Sequence, residues 1–448
     1  MLTPYAAVSD YSRHMLAALL LLTACGVQAQ QFQQEYSAPR RASVEVLAMT
    51  NHTDRTYRIG ETATVEVSAL RNGLPVEGTV SYRVGDEMHM PDTWQQATFS
   101  SGQININLGT MATPGFRAVE WNFKVGGKTH KDLLKVAFEP EHIKTYAEMP
   151  ADFSEFWSRA VSDARTVPLE VETWEVPSCT NAQVETRLIH LRVGRNKWMY
   201  GYLTRPLDGQ QHPVVLCMPG AGSSKVTPSD YFPQRGYIYL KMEIHGNDPR
   251  LPDDEYDKLR HDMCDGYTRR GIEDRDTYYY KDVYAGAVRC MDYLCSLPDW
   301  DGRNAIVTGG SQGGALTIVT AALSRQVTAL AAFYPALNDL TAFRHKRAGG
   351  WPKFFTTAYR DSDVSDMDEE RVVKTLHYYD VTNFARTLTV PGFYSYGYND
   401  DTCSPTSVCG MINEISAPKV VDVTPSSGHW RFADSQDRCM EWLETVMR

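Results

Sequence analysis

Several absences narrow the range of chemistry open to this chain. The 448 residues hold 12 histidines and 9 cysteines but no H-E-x-x-H, no H-x-x-x-H and no paired C-x-x-C. The common ligand spacings of a metal-dependent hydrolase are therefore missing. Positive charge is not in excess: 45 Lys and Arg face 55 Asp and Glu, a formal net charge of -10, which disfavours nucleic acid or an anionic lipid surface as main partner. No segment reaches the roughly 18 consecutive apolar residues of a membrane span. Internal repeats and low-complexity tracts are absent as well.

The apolar run 15–24, behind Arg13-His14, has the length of a secretory h-region, about ten residues. It predicts an export signal over 1–29, cut after Val27-Gln28-Ala29, with lipid attachment at Cys25 as the alternative. The remainder is expected in the periplasm or outside the cell, where disulfides can form but their pairing is not fixed by sequence. Cys217, closing an apolar strand, reads as a buried thiol. His261, Asp262, Cys264 and Asp265 read as a polar surface loop without a second ligand pair.

Two patterns divide the rest. Over 38–140 apolar residues alternate with period two, as in 63–69, 80–84, 104–108 and 117–125, with Gly and Asn between. This predicts a small β-sandwich, immunoglobulin-like in general form. His89 and His130 fall in polar, turn-like stretches and read as solvated. No row of exposed aromatics suggests glycan capture, so packing or spacing is the expected role. Over 150–448 the pattern changes: an amphipathic helix opens after Asp152, placed to cap it or favour its N-terminal turn, and apolar strands then alternate with helices such as 280–297. Such alternation predicts an α/β fold with a doubly wound, mostly parallel sheet.

The chemistry centres on Gly309-Gly310-Ser311-Gln312-Gly313-Gly314, between an apolar strand and an apolar helix. A G-x-S-x-G turn displays a nucleophilic serine, and glycines at 309 and 313 keep the strand and helix from colliding. A serine hydroxyl needs a base, and the base needs an orienting acid. In an α/β-hydrolase these follow in the order Ser, acid, His. His429, after the strand-like run 419–423, is the only histidine beyond His377. Asp400 and Asp401 follow the run 392–397, and position alone leaves either as the acid. Two backbone donors are expected for the oxyanion: the N–H of Gln312 and one from the loop Pro219-Gly220-Ala221-Gly222-Ser223, where Ala221 is the choice because Pro219 has no N–H.

These residues resemble carbohydrate esterase family seven, the acetyl xylan esterases and cephalosporin-C deacetylases. The likeness lies in Val307-Thr308-Gly309-Gly310-Ser311-Gln312-Gly313-Gly314, in Asp282-Val283-Tyr284, in Tyr379-Asp380-Val381-Thr382-Asn383-Phe384-Ala385, in Asn399-Asp400-Asp401-Thr402-Cys403-Ser404-Pro405 and in the helix at 153–157. It spans about residue 150 to the C-terminus. The resemblance implies Ser311 as nucleophile, Asp400 rather than Asp401 as acid, His429 as base, no metal or organic cofactor, and an acetylated carbohydrate as substrate. The chain departs from the family's Arg-Gly-Gln at His245-Gly246-Asn247 and from its His-Gly-Tyr at Pro219-Gly220-Ala221, which leaves the acyl group and any homo-oligomer open. The alternatives are an esterase for bulkier, feruloyl-type acyl groups, another kind of serine hydrolase, and a carbohydrate-binding protein with an inactive hydrolase part.

Overall fold

Residues 44–264, 266–356, 363–430 and 433–447 are described by a computed structural model, the side chains of 260–264 excepted. The expected leader 1–29 and Cys25 lie outside the described residues. From residue 44 the alternating sequence forms β1 (Val44–Thr50), β2 (Thr56–Tyr57), β3 (Ala63–Arg71), β4 (Leu74–Pro75), β5 (Gly78–Asp86), β6 (Gln95–Phe99), β7 (Gln103–Gly109), β8 (Gly115–Val125) and β9 (Lys128–Phe138). One sheet joins β1, β3 and β4, with β7 on β3; the other runs β2-β9-β8-β5-β6. All these pairings are antiparallel except β2 with β9. Ala63, Val65, Val67 and Ala69 of β3 are buried at every second position, as the pleat requires. They share one core with Ile106 from their own sheet and Val80, Val119, Trp121 and Phe123 from the other. His89 is exposed as expected, but His130 is half-buried inside β9 rather than in a turn.

The second region carries β10 (Val171–Glu175), β11 (Val184–Gly194), β12 (Lys197–Pro206), β13 (His212–Met218), β14 (Ile238–Met242), β15 (Trp300–Gly310), β16 (Ala329–Phe333), β17 (Gly392–Gly397) and β18 (Lys419–Thr424). They form a sheet in the order β10-β11-β12-β14-β13-β15-β16-β17-β18. From β14 onward the pairings are parallel, and β10 to β14 are joined antiparallel. Its helices are α1 (Phe153–Arg165), α2 (Asp253–Cys264), α3 (Tyr280–Leu294), α4 (Gln312–Leu323), α5 (Glu369–Tyr379), α6 (Val381–Ala385), α7 (Pro405–Asn413) and α8 (Ala433–Val446).

The strands are apolar without interruption because both faces are covered. Val214, Leu216, Ala305 and Val307 pack into the core with α1, α3, α4, α6 and α7. Their neighbours Val215 and Ile306 belong instead to a second core, with Cys439, Met440 and Leu443 of α8. Phe116 of β8 and Ala137 of β9 belong to the first of these cores, so the N-terminal region is packed onto the α/β region.

Three local expectations are corrected. Asp152 does take the N-cap position of α1, but it makes no side-chain cap bond there: its carboxylate accepts from Arg275 Nη1 at 2.8 Å and from the Tyr378 hydroxyl. Residues 261, 262 and 264 belong to helix α2, not to a loop, the acidic start Asp253-Asp254-Glu255 suiting a helix N-terminus. Cys217 is half-buried rather than buried, and it, Cys179, Cys290, Cys295, Cys403, Cys409 and Cys439 are free thiols.

Candidate active site

The strand β15 hands directly to α4, and Ser311 takes the reversal with φ 60° and ψ -123°. A non-glycine backbone in that region is strained, as a sharp strand-to-helix turn of this kind requires. A Cβ on Gly309 would sit 2.6 Å from the Gly313 carbonyl, and one on Gly313 would run into the Met218 carbonyl of β13. Both glycines are thus required by close approach.

His429, on the loop after β18, stands with Nε2 3.0 Å from Ser311 Oγ and Nδ1 2.8 Å from Asp400 Oδ2. A carboxylate can only accept, so the imidazole proton lies on Nδ1, and Nε2 is left to accept from the serine hydroxyl. Asp400 is fully buried after β17, and its Oδ1 accepts from the backbone N–H groups of Thr402 and Cys403, both at 2.8 Å. Asp401 points away, its exposed carboxylate 2.9 Å from Lys135 Nζ. The geometry therefore separates two aspartates that position in the sequence left equal. The Tyr334 ring packs edge-on with the imidazole, centroids 4.7 Å apart.

Asp400, Cys403 and His429 each bring one ligand-type atom within 4.8 Å of the others. The set does not fit a resident cation. Both imidazole nitrogens are already engaged, and burial, with the Asp400 charge beside it, pushes the Cys403 thiol well above its ordinary range.

Facing Ser311 is the loop 219–223 after β13. Gln312 does more here than the sequence discloses. Its buried amide donates from Nε2 to the Gly220 carbonyl at 3.1 Å, while Oε1 accepts from the hydroxyls of Tyr267 at 2.6 Å and Tyr280 at 2.7 Å. Burial, then the neighbouring Tyr267, pushes Tyr280 far above the ordinary tyrosine range, so it stays a donor. On the far side of the loop the Gly222 carbonyl accepts from His245 Nε2 at 3.2 Å, and His245 Nδ1 lies 2.7 Å from the Tyr279 hydroxyl. Burial lowers His245 to about 4, so the ring is neutral near pH 7. Tyr267, Tyr279, Tyr280 and His245 were not among the site residues read from sequence. The signals were the run Tyr278-Tyr279-Tyr280 and the departure at His245-Gly246-Asn247. Ala221 itself is exposed at the loop's tip.

The profile of the acetyl xylan esterase (AXE1) family matches residues 135–446. The chain belongs to this family. Acetyl esterase Axe7A of Xylanibacter ruminicola is 39% identical over 433 residues, 96% of each chain. Among solved structures, an acetyl xylan esterase from Paenibacillus sp. R4 superposes with a TM-score of 0.60 at 23% identity, covering 69% of this chain and 99% of its own. Acetyl xylan esterase 1 from Thermoanaerobacterium sp. JW/SL YS485 gives 0.60 at 22%, covering 69% and 98%. The α/β-hydrolase fold is common to this acetyl xylan esterase family member and both structures, while nearly a third of the present chain has no counterpart in them.

Proposed function

We propose that the chain is an exported serine esterase that removes acetyl groups from acetylated polysaccharides or their oligosaccharides, with Ser311, His429 and Asp400 as its triad. The family makes it an acetyl esterase, a carboxylic ester hydrolase acting on acetylated sugars. The observation that carries the residue roles is the hydrogen-bonded series Ser311, His429, Asp400 on a strained elbow. Ser311 Oγ attacks the ester carbonyl as its proton passes to His429 Nε2. The same proton goes to the sugar oxygen as the C–O bond breaks, leaving an acetyl group on Ser311. Water then gives a proton to Nε2 and adds to that acetyl carbon, and acetate leaves as Ser311 regains its proton. Asp400 orients the imidazole and offsets its transient positive charge.

The oxyanion is received by the N–H groups of Gln312 and Ala221. Gln312 is the first residue of α4, where an N–H has no acceptor within its own helix. Its side chain ties the Ala221 loop to the same helix end. No metal or organic cofactor enters the scheme. The test is hydrolysis of 4-nitrophenyl acetate, with acetate release from acetylated xylan, pectin and mannan side by side. Ser311→Ala is expected to lose activity on the order of 10⁴-fold or more; an unchanged rate removes Ser311 from the reaction.

A second reading, bulkier acyl esters, is favoured by one observation: a small, exposed Ala221 stands where the family resemblance implies a tyrosine. A nitrophenyl ester series decides between them, because preference for butyrate or longer over acetate would displace the acetyl reading. For the N-terminal region the two facing sheets support an immunoglobulin-like sandwich. Export through 1–29 is checked by the intact mass of secreted protein: a chain starting at Gln30 supports it, a lipidated Cys25 supports the anchored alternative, and an uncut leader contradicts both.

A further inference from the structure

The N-terminal region reaches the acid loop through two buried charges. Lys135 of β9 and Glu87, just beyond β5, are 1% and 2% exposed, and Lys135 Nζ lies 2.8 Å from Glu87 Oε1. The ammonium also donates to the Asp400 main-chain carbonyl at 2.6 Å and pairs with Asp401 Oδ1 at 2.9 Å. Its three protons thus meet three oxygens, two of them on the residue proposed as the triad acid and on its neighbour. Burial works against the Lys135 charge, but the carboxylates of Glu87 and then Asp401 outweigh it and hold Lys135 above its ordinary range.

The other oxygen of Glu87 serves the far end of the same loop. Oε2 accepts from Ser404 Oγ at 3.0 Å, Thr406 N at 3.2 Å and Thr406 Oγ1 at 2.6 Å. Ser404 occupies the N-cap position of α7 but makes no side-chain cap bond of its own. Glu87 therefore supplies, from another part of the chain, the negative charge that a helix N-terminus favours. A third tie runs through the backbone. Lys135 N donates to Asn399 Oδ1 at 2.9 Å, and Asn399 N donates to Ser427 O at 2.9 Å, on the loop that carries His429. The residues on both sides of the acid, and the turn beneath the base, are thus fixed to one spot in the N-terminal region.

We propose that Lys135 and Glu87 are positioning residues, supplied by the N-terminal region, that set the Asp400 carboxylate against the His429 imidazole. This rests on the reading of Asp400 as the acid of the triad. It gives the β region a part in catalysis through the acid loop, beyond spacing or glycan capture. Lys135 falls at the edge of the family match and Glu87 outside it.

The test uses the full chain and 4-nitrophenyl acetate, with Glu87→Gln, Lys135→Met and Asn399→Ala, each made alone and with Asp400→Ala. Displacing the acid by a fraction of an ångström is expected to lower kcat on the order of 10- to 100-fold for Glu87→Gln and Lys135→Met, with KM within about twofold. Asn399→Ala, which leaves the ion pair intact and keeps the test alive if Lys135→Met does not fold, should lower kcat less but in the same way. In the Asp400→Ala background the further loss should vanish, because the group they act through is gone. Wild-type kcat in both Glu87→Gln and Asn399→Ala, or an undiminished loss on top of Asp400→Ala, overturns the positioning role while leaving the triad standing. Wild-type turnover by Asp400→Ala alone sinks the triad reading and this inference with it.

Discussion

The loop behind Asp400 is held by buried charges from another region of the chain, whereas the loop 219–223 beside the Ser311 turn is held by neutral hydroxyls, an amide and an uncharged imidazole. The two clamps should fail differently. A buried ion pair contributes modest net stability while intact, but removing one partner strands the other in a dry site. A neutral network loses one hydrogen bond at a time, each contributing about 0.5–1.5 kcal/mol. Rigidity on the acid side is therefore expected to depend on both partners at once, and on the other side to be divided among several side chains.

The largest effect that would break this contrast is on stability. Lys135→Met leaves the Glu87 carboxylate unpaired and is expected to cost about 3–5 kcal/mol, against much less for the double change with Glu87→Gln. Urea unfolding checks it, and equal losses in the single and double variants would refute a charge clamp. Next, Gln312→Ala removes the side-chain bonds to the Gly220 carbonyl and to the Tyr267 and Tyr280 hydroxyls while keeping the main-chain N–H at position 312. A loss in kcat of about 2–3 kcal/mol, near the value of one oxyanion donor, is expected in steady-state kinetics. Tyr280→Phe, which leaves Gln312 Oε1 one partner in Tyr267, should cost about 1 kcal/mol in thermal unfolding.

The smallest effect is a pH dependence. His245 titrates lower in the folded chain, at about 4, than its ordinary 6.5. Between these values the unfolded state binds more protons, so the contribution is complete above about pH 6.5 and is lost as pH falls toward 4. Partial exposure of the ring keeps the change small, and His245→Gln should flatten that part of the thermal-midpoint profile.

The same contrast describes what the sequence reveals. Groups within a few residues of one another were legible: Gly309, Ser311 and Gly313 mark the elbow, and the alternation of 63–69 marks β3 and its inward face. Chain order then pointed to Asp400 or Asp401 and to His429, which lie after β17 and β18. Strand β9 is not among the alternating runs read from sequence, where the stretch around His130 reads as polar and turn-like; nothing local distinguishes the buried Lys135 from the exposed Lys128 and Lys131. The partners of Lys135 stand 48 and 265 positions away. Gln312 shows the same limit within the elbow itself. Its N–H follows from the motif, but its side chain's partners, 32, 45 and 92 positions distant, do not. Asp152 stands at the N-cap of α1 as the sequence implies, but its carboxylate is taken by Arg275 and Tyr378 from across the fold.

The most direct test of the central claim is the site and rate of covalent labelling by a serine-reactive fluorophosphonate, followed by peptide mass spectrometry in the wild type, Asp400→Asn and Asp401→Asn. The adduct is expected on Ser311, slowed on the order of 10³- to 10⁴-fold by Asp400→Asn and far less by Asp401→Asn. An adduct on another residue, or a slower reaction in Asp401→Asn than in Asp400→Asn, would contradict the triad.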